Sequence, residues 1–257
     1  MIGHLAAHRG PERETPRALA ALKDVSAELL AERALLTRVD RKYLLPREAL
    51  DALLVSVRDD YGVLRAGTRL AARYSTGYFD TVDLRMFDDH RRGRCPRYKV
   101  RMRHHLDRKL SFLEVKRKGA NQHTTKAILS RPFGATELDP EGRRFIDEHC
   151  PIAADGLVAG VSTDFLRATL VGEIVNERVT IDWDFDVHHA SAAARFARAV
   201  IVEVKQARYS NHTPAIRALR ALHIRDQSIS KYCIATATLA TVRSNTFTSA
   251  LRAMERI

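Results

Sequence analysis

Charged and uncharged residues alternate with a period of two in four separate stretches of this chain. In Arg97-Tyr98-Lys99-Val100-Arg101-Met102-Arg103 the basic residues fall on one side, and Tyr98, Val100 and Met102 on the other. Successive side chains of a strand project to opposite faces, so this pattern predicts a strand with one wholly cationic face. Residues 112–118 set Glu114, Lys116 and Lys118 together. Residues 178–186 set Arg178, Asp182, Asp184 and Asp186 opposite Val179, Ile181, Trp183 and Phe185. Residues 200–205 place Glu203 and Lys205 against Val200, Val202 and Val204. An ordinary half-buried strand turns scattered polar residues to water. Rows of fixed charge on several strands predict instead a barrel with a highly polar tunnel, suited to a long, multiply charged anion.

Helical signals lie between the strands. Thr15-Pro16 reads as an N-cap with Pro at the first helical position, and Leu19, Leu22, Leu29 and Leu30 supply an apolar stripe. Residues 38–45 read as the first strand, and Pro46 opens a helix with Leu50, Leu53, Leu54 and Val57 on one side. Residues 73–81 read as a strand running into a helical turn at 83–90, and the two basic strands come next as a hairpin near His105-Leu106-Asp107. Asp139-Pro140 and Thr213-Pro214 repeat the cap-plus-proline signal. Residues 165–171 and 178–187 form a second predicted hairpin, with a strand at 201–206 after it. Residues 244–257 close the chain as an amphipathic helix with Phe247, Leu251 and Met254 inward. The expected class is α+β, an antiparallel β-barrel tunnel with flanking helices. No linker rich in Pro, Gly or Ser divides it. One domain is expected, with a helical extension at 1–31, the tunnel at 32–240, and a helix at 241–257 packing on the same domain.

Composition narrows the picture. A chain of 257 residues can bury a sizeable core, and 45% apolar content without low-complexity tracts excludes disorder. No run of eighteen apolar residues predicts a membrane span, and the first ten residues hold too short an apolar stretch to be expected as a secretory signal. Cys95, Cys150 and Cys233 lack metal-ligand spacing and read as reduced thiols of a cytoplasmic protein. The net charge of +12 is concentrated, because residues 91–118 hold twelve Lys or Arg but only two acids, Asp107 and Glu114. That implies a polyanionic partner or site, whereas a merely solvated basic face would not alternate so strictly. Nucleic acid is disfavoured: such modules add aromatic stacking platforms, while here carboxylates interleave with the cations and Tyr98 faces away. The doublets His104-His105 and His188-His189 lack the spacing of a helical zinc site, and there is neither a Walker-type loop nor a nucleophile elbow.

Six motifs then appear in order: Arg38-Val39-Asp40-Arg41-Lys42-Tyr43, Tyr78-Phe79-Asp80-Thr81, the 97–103 and 112–118 strands, Val202-Glu203-Val204-Lys205, and Ser230-Lys231-Tyr232. Together, across residues 32–240, they resemble the polyphosphate polymerase (VTC) domain of the vacuolar transporter chaperone family, within the CYTH-like triphosphate tunnel metalloenzymes. The resemblance implies an antiparallel barrel whose charged interior binds a triphosphate and a divalent metal. It gives phosphate-binding roles to Lys42, Arg101, Arg103, Lys116, Lys118, Arg167 and Lys231, with Lys205 beside the metal-binding Glu203. Glu114 is a second candidate ligand and Asp182 an assisting one. Alternatively, these carboxylates pair with neighbouring Arg or Lys across strands. Tyr78-Phe79-Asp80-Thr81 is assigned to structure, Trp183 to an outer core against a helix, and Asp184 and Asp186 to solvent.

The chemistry suits the mixture. Phosphoryl transfer depends on positioning and charge stabilisation, and hard cations such as Mn²⁺ or Mg²⁺ favour carboxylate and phosphate oxygens. Hydrolases of the wider group open with Glu-x-Glu-x-Lys, where this chain has Arg38, Asp40 and Lys42. That departure points toward the polymerase-like subgroup, with Asp40 either keeping a metal or pairing with Arg38 and Lys42. The expectation is a polyphosphate polymerase-like phosphotransferase using ATP and polyphosphate. A triphosphate hydrolase and a non-catalytic polyphosphate sensor or subunit are the alternatives. Any membrane passage of product would fall to a separate membrane-embedded partner.

Overall fold

The computed structural model describes residues 15–33, 39–119 and 124–257. Arg38 and the first fourteen residues of the expected helical extension lie outside the described residues. The leucine stripe after Thr15-Pro16 does not make one helix. It breaks into a 3-10 turn (Arg17–Ala21), a two-residue strand β1 (Lys23–Asp24) and helix α1 (Ala27–Glu32). Leu19 and Leu22 are buried three residues apart, and the chain restarts where Ser26 Oγ accepts the Leu29 N–H at 3.2 Å as a fresh N-cap.

The next elements along the chain are β2 (Val39–Pro46), α2 (Leu50–Val57), β3 (Tyr61–Val63), β4 (Ala72–Thr81), α3 (Arg85–Arg91), β5 (Arg97–His105), β6 (Leu110–Lys118) and β7 (Thr124–Arg131). Then come α4 (Pro140–His149), β8 (Leu157–Gly172), β9 (Glu177–His189), β10 (Ala192–Phe196), β11 (Ala199–Gln206), α5 (Pro214–Ala221), α6 (Lys231–Leu239) and α7 (Thr248–Arg256). Asp139 caps α4 as expected, its carboxylate accepting the Gly142 N–H at 2.9 Å. Thr213 precedes Pro214 without a side-chain cap; its hydroxyl accepts from Gln206 instead.

The main path of the sheet is β2-β11-β9-β8-β4-β5-β6-β7, and every neighbouring pair in it is antiparallel. Its end strands, β2 and β7, do not pair with each other among the described residues. The expected barrel is therefore an open sheet, but one curled into a tunnel. Lys116 on β6 feels Lys42 and Asp40 on β2 and Glu203 on β11, from the far end of the strand order.

Three apolar clusters fix this curl. Outside one wall, Val200, Val202, Ile181, Leu166 and fully buried Trp183 pack against Leu50, Leu53 and Leu54 of α2 and Ile216 and Leu219 of α5. Each such buried aliphatic chain contributes roughly 1.5–3 kcal/mol. Outside the other wall, Phe79, Val100, Met102, Leu113 and Val115 pack against Met86 of α3 and Ile146 of α4. The third cluster lies inside. Leu44 and Ile201, two residues along from Lys42 and Glu203 on the same strand faces, meet Tyr78, Phe165 and Phe185 around Tyr232, Cys233 and Ile234 of α6. Helix α6 thus fills one end of the tunnel, and Phe247 and Met254 close over the same cluster.

One strand breaks its predicted alternation. The register of β8 against β9 shifts between Asp164 and Leu166, and Asp184 sits at φ 51°. A bulge inserts a residue and reverses the facing of the residues beyond it. Trp183 therefore points to the outer core while Phe185 points into the tunnel end. Asp184 and Asp186, expected to face solvent, instead lie within 3.7 Å and 3.6 Å of Arg195, with Asp186 buried.

Candidate functional site

Register brings the charged faces of the curled sheet together. Lys42 pairs with Glu203, and Glu203 with Thr180; Asp40 pairs with Lys205, and Lys205 with Arg178. Arg167 sits opposite Asp182, Arg101 opposite Glu114, Lys99 opposite Lys116, and Arg97 opposite Lys118. From the tunnel end, the first turn of α6 adds Lys231, preceded by the N-cap Ser230, whose Oγ accepts the Cys233 N–H. The candidates Lys42, Arg101, Arg103, Lys116, Lys118, Arg167, Lys205, Lys231, Glu203 and Glu114 all lie on this interior surface.

These groups fall into two sets. In the first, carboxylates hold cations. Glu114 accepts from Arg101 Nε at 2.6 Å and from Lys126 Nζ at 3.2 Å. Burial opposes its charge, but Arg101, Arg103 and Lys126 outweigh that and hold its pKa far below the usual carboxylate range. Asp182 takes the guanidinium of Arg167 in a fork, at 2.5 Å and 2.7 Å, and also accepts from Lys231 Nζ. Burial would raise its pKa, yet Arg167 and Lys231 push it well down. Glu203 accepts from Lys205 Nζ at 2.9 Å, and Lys205 donates as well to Thr180 Oγ1 at 2.9 Å. Against its burial, Lys205, Lys42, Lys116 and Arg167 keep Glu203 ionised.

The second set has cations with no ion-paired carboxylate among the described residues. Lys42 donates to the Ile229 carbonyl at 2.8 Å and Lys99 to Ser230 Oγ at 2.7 Å. Arg103 donates from Nε to Thr76 Oγ1 at 3.2 Å, with its guanidinium 5.7 Å from the Tyr74 ring centre. Lys116 makes neither a hydrogen bond nor an ion pair among the described residues, and Lys118 beside Arg97 makes none either. Burial, reinforced by Lys42, Lys116 and Arg97, lowers the Lys99 pKa to about 7, although Cys233 works the other way. Burial and Lys42 bring Lys116 down to about 8. Arg103, fully walled in and beside Arg101, falls to about 10. His90 on α3, half-buried and facing Lys99, Arg97, Lys42 and Lys118, is pushed down to about 2, by desolvation first.

Buried cations that repel one another are costly unless an anion joins them. The arrangement is thus a preformed anion site with forked guanidiniums and point-charge ammoniums side by side. Its guanidiniums at Arg101 and Arg167 are fixed by Glu114 and Asp182, while Lys42 and Lys99 hold only a carbonyl and a hydroxyl and Lys116 neither hydrogen bond nor ion pair among the described residues.

A divalent metal is a narrower fit. No three His, Cys, Asp or Glu side chains cluster as a metal cage among the described residues. Mg²⁺-type sites commonly use one or two carboxylates and complete the shell with substrate phosphates and water. Glu203 and Asp40, on neighbouring strands and the same face, suit that donor set. Glu114 and Asp182 suit it less, each being engaged by two cationic partners where Glu203 has Lys205.

Four participants carry no role in the sequence reading, although Lys99 and Ser230 stand within its motifs. Lys99 lay in the basic row without an assigned role, and Lys126 sits on β7, which shows no alternation. Ser230 and the Ile229 carbonyl enter only because α6 docks inside. An N-cap serine before Lys231 was the one available signal.

A family model of the VTC domain matches residues 37–240. No curated protein matches the chain. Among solved structures, an adenylate cyclase candidate from Bacillus halodurans is 14% identical with a TM-score of 0.45, covering 75% of this chain and 93% of its own. A Pyrococcus horikoshii OT3 protein is 12% identical at a TM-score of 0.46, over 78% of this chain and 99% of its own. The Hippeastrum protein HpAC1, an adenylyl cyclase candidate described as having a dominant triphosphatase activity, is 13% identical at a TM-score of 0.45, over 79% and 97%. Likenesses this distant do not speak to activity.

Proposed function

We propose that this chain, which belongs to the VTC domain family, is a phosphotransferase that moves the γ-phosphate of ATP onto the end of a polyphosphate chain held in its tunnel. The observation that carries this reading is the half-buried Lys42–Lys99–Lys116 cluster, with no carboxylate ion-paired to it among the described residues, beside the anchored guanidiniums of Arg101 and Arg167.

The side chains would act by placement. Lys42, Lys99 and Lys116 would meet phosphate oxygens as point charges, and Arg101, Arg103 and Arg167 would present forked donors. The attacking oxygen of a terminal phosphate is already anionic, so no general base is needed, and the protein supplies no nucleophile. Glu114 and Asp182 would keep Arg101 and Arg167 aimed into the tunnel while phosphates exchange. Lys118, beside Arg97 at the edge of the row, would extend the path for a longer chain. Lys205 would hold Glu203 in its ionised form. Glu203, with Asp40, would hold Mn²⁺ or Mg²⁺, which in such sites neutralises charge on the transferring phosphoryl group.

The test is a product assay with ATP and Mn²⁺ or Mg²⁺ that resolves polyphosphate, orthophosphate and ADP together. Chains lengthening as ADP accumulates are expected. Orthophosphate without chains would replace this reading with hydrolysis. Glu203→Ala is expected to lower metal-dependent turnover by at least ~100-fold while leaving the fold intact, and near-normal turnover in that variant would remove Glu203 from the metal site.

A further inference from the structure

Tyr232 comes directly after Lys231, yet its hydroxyl reaches away from the tunnel cations. It donates to Asp80 Oδ2 at the end of β4. Asp80 is 2% exposed and makes no ion pair among the described residues. It also accepts from backbone amides, Thr81 N–H at 2.7 Å and Met86 N–H at 2.9 Å on Oδ1 and Phe87 N–H at 2.9 Å on Oδ2, and at 3.5 Å from the Thr81 hydroxyl on Oδ1. One carboxylate therefore ties β4, the first turn of α3 and the first turn of α6 together. Burial and Asp80 raise the Tyr232 pKa, so the phenol stays a donor. The Tyr232 ring is gripped as well, 5.1 Å from the Tyr78 ring and 6.4 Å from Phe87, centre to centre.

Adjacent helical side chains diverge by about 100° around the axis. Holding Tyr232 toward Asp80 therefore dictates where Lys231 points, and it points to Asp182, the carboxylate that also grips Arg167. We infer that Asp80 and Tyr232 are positioning residues, whose hydrogen bond sets the rotation of α6 that delivers Lys231 to the phosphate site. This rests on reading the tunnel as a phosphate site, not on the reaction performed there.

The test is a double-mutant cycle read by calorimetric titration with tripolyphosphate, on the unsubstituted chain, Tyr232→Phe, Lys231→Ala and the double variant. Tyr232→Phe keeps the ring and loses only the hydroxyl. It is expected to bind about fivefold more weakly, and Lys231→Ala about tenfold more weakly. The double variant is expected to bind within about twofold of Lys231→Ala, because the hydroxyl acts through that lysine. A purely structural role would instead give the full product of the two losses, and that result overturns the inference. So does wild-type affinity in Tyr232→Phe. If Tyr232→Phe does not fold, Asp80→Asn carries the same cycle, since it retains an oxygen for the amides, and the same two results decide. Because the readout is binding, a product assay that shows no chain growth would remove the polymerase reading and leave this inference standing.

Discussion

At the scale of single residues, the tunnel lysines are tuned by one another. Folded Lys99 and Lys116 release their protons near about 7 and about 8, through burial first and neighbouring cations second. In an unfolded chain the same groups hold theirs to about 10.4. Between those limits the unfolded state binds more protons, so the ligand-free protein is expected to gain stability as pH rises from about 7 to about 10. Lys99→Met should flatten that rise and stabilise the protein at pH 7 by about 1 kcal/mol, while weakening tripolyphosphate binding. Urea midpoints measured across this pH range check it; a slope untouched by the substitution would mean Lys99 keeps an ordinary pKa. The carboxylates run the opposite way. Asp182 and Glu114 are held low by their guanidinium and ammonium partners, so the stability they add at neutral pH disappears only in strong acid.

Helix α6 is the element on which the site turns. Its N-cap serine serves two donors, accepting from Cys233 N–H and from Lys99 Nζ. Ser230→Ala should cost about 1 kcal/mol of stability, and hydrogen exchange should speed at the first-turn amides of α6 before anywhere else in the helix. Uniform exchange across α6 would contradict a cap at that position. This helix was not legible in the sequence, because Tyr232, Cys233, Ile234, Ala235 and Thr236 are all buried and no amphipathic stripe is left to read. Strand β7 escaped for the opposite reason. It is a sheet edge with Ala127, Leu129 and Arg131 only half-buried, and Ile128 sits on its exposed face between Lys126 and Ser130, so polar and apolar residues do not follow the alternation of its burial. The strands of 97–103 and 112–118 were legible, with the cationic face of one and the mixed face of the other, because each has one face in a dry core and one in the tunnel. The 178–186 strand was legible only up to Asp184, where the bulge exchanges the two faces.

For the molecule as a whole, the net charge of +12 acquires a place. A curled sheet brings β2 and β6 within electrostatic reach and turns a basic stretch of sequence into an enclosed field rather than a solvated face. No described helix is long and apolar enough to cross a membrane. The interior rows predicted from alternation converge, except that the bulge takes Asp184 and Asp186 out of the 178–186 row toward Arg195. What alternation could not foresee is that the carboxylates anchor Arg101, Arg167, Lys205 and Lys231 and leave Lys42, Lys99, Arg103 and Lys116 without an ion-paired partner among the described residues, since that depends on cross-strand register and on α6 docking from the end.

The most direct measurement is a calorimetric titration of the intact protein with tripolyphosphate, set against the Arg101→Ala/Arg103→Ala double variant. An enclosed site predicts one tripolyphosphate per chain and a loss of affinity of at least ~30-fold in the variant, given roughly 1.5–3 kcal/mol for a hydrogen bond to a charged group. Several weak, equivalent sites that persist unchanged in the variant would place the anion on the outer surface and contradict the tunnel.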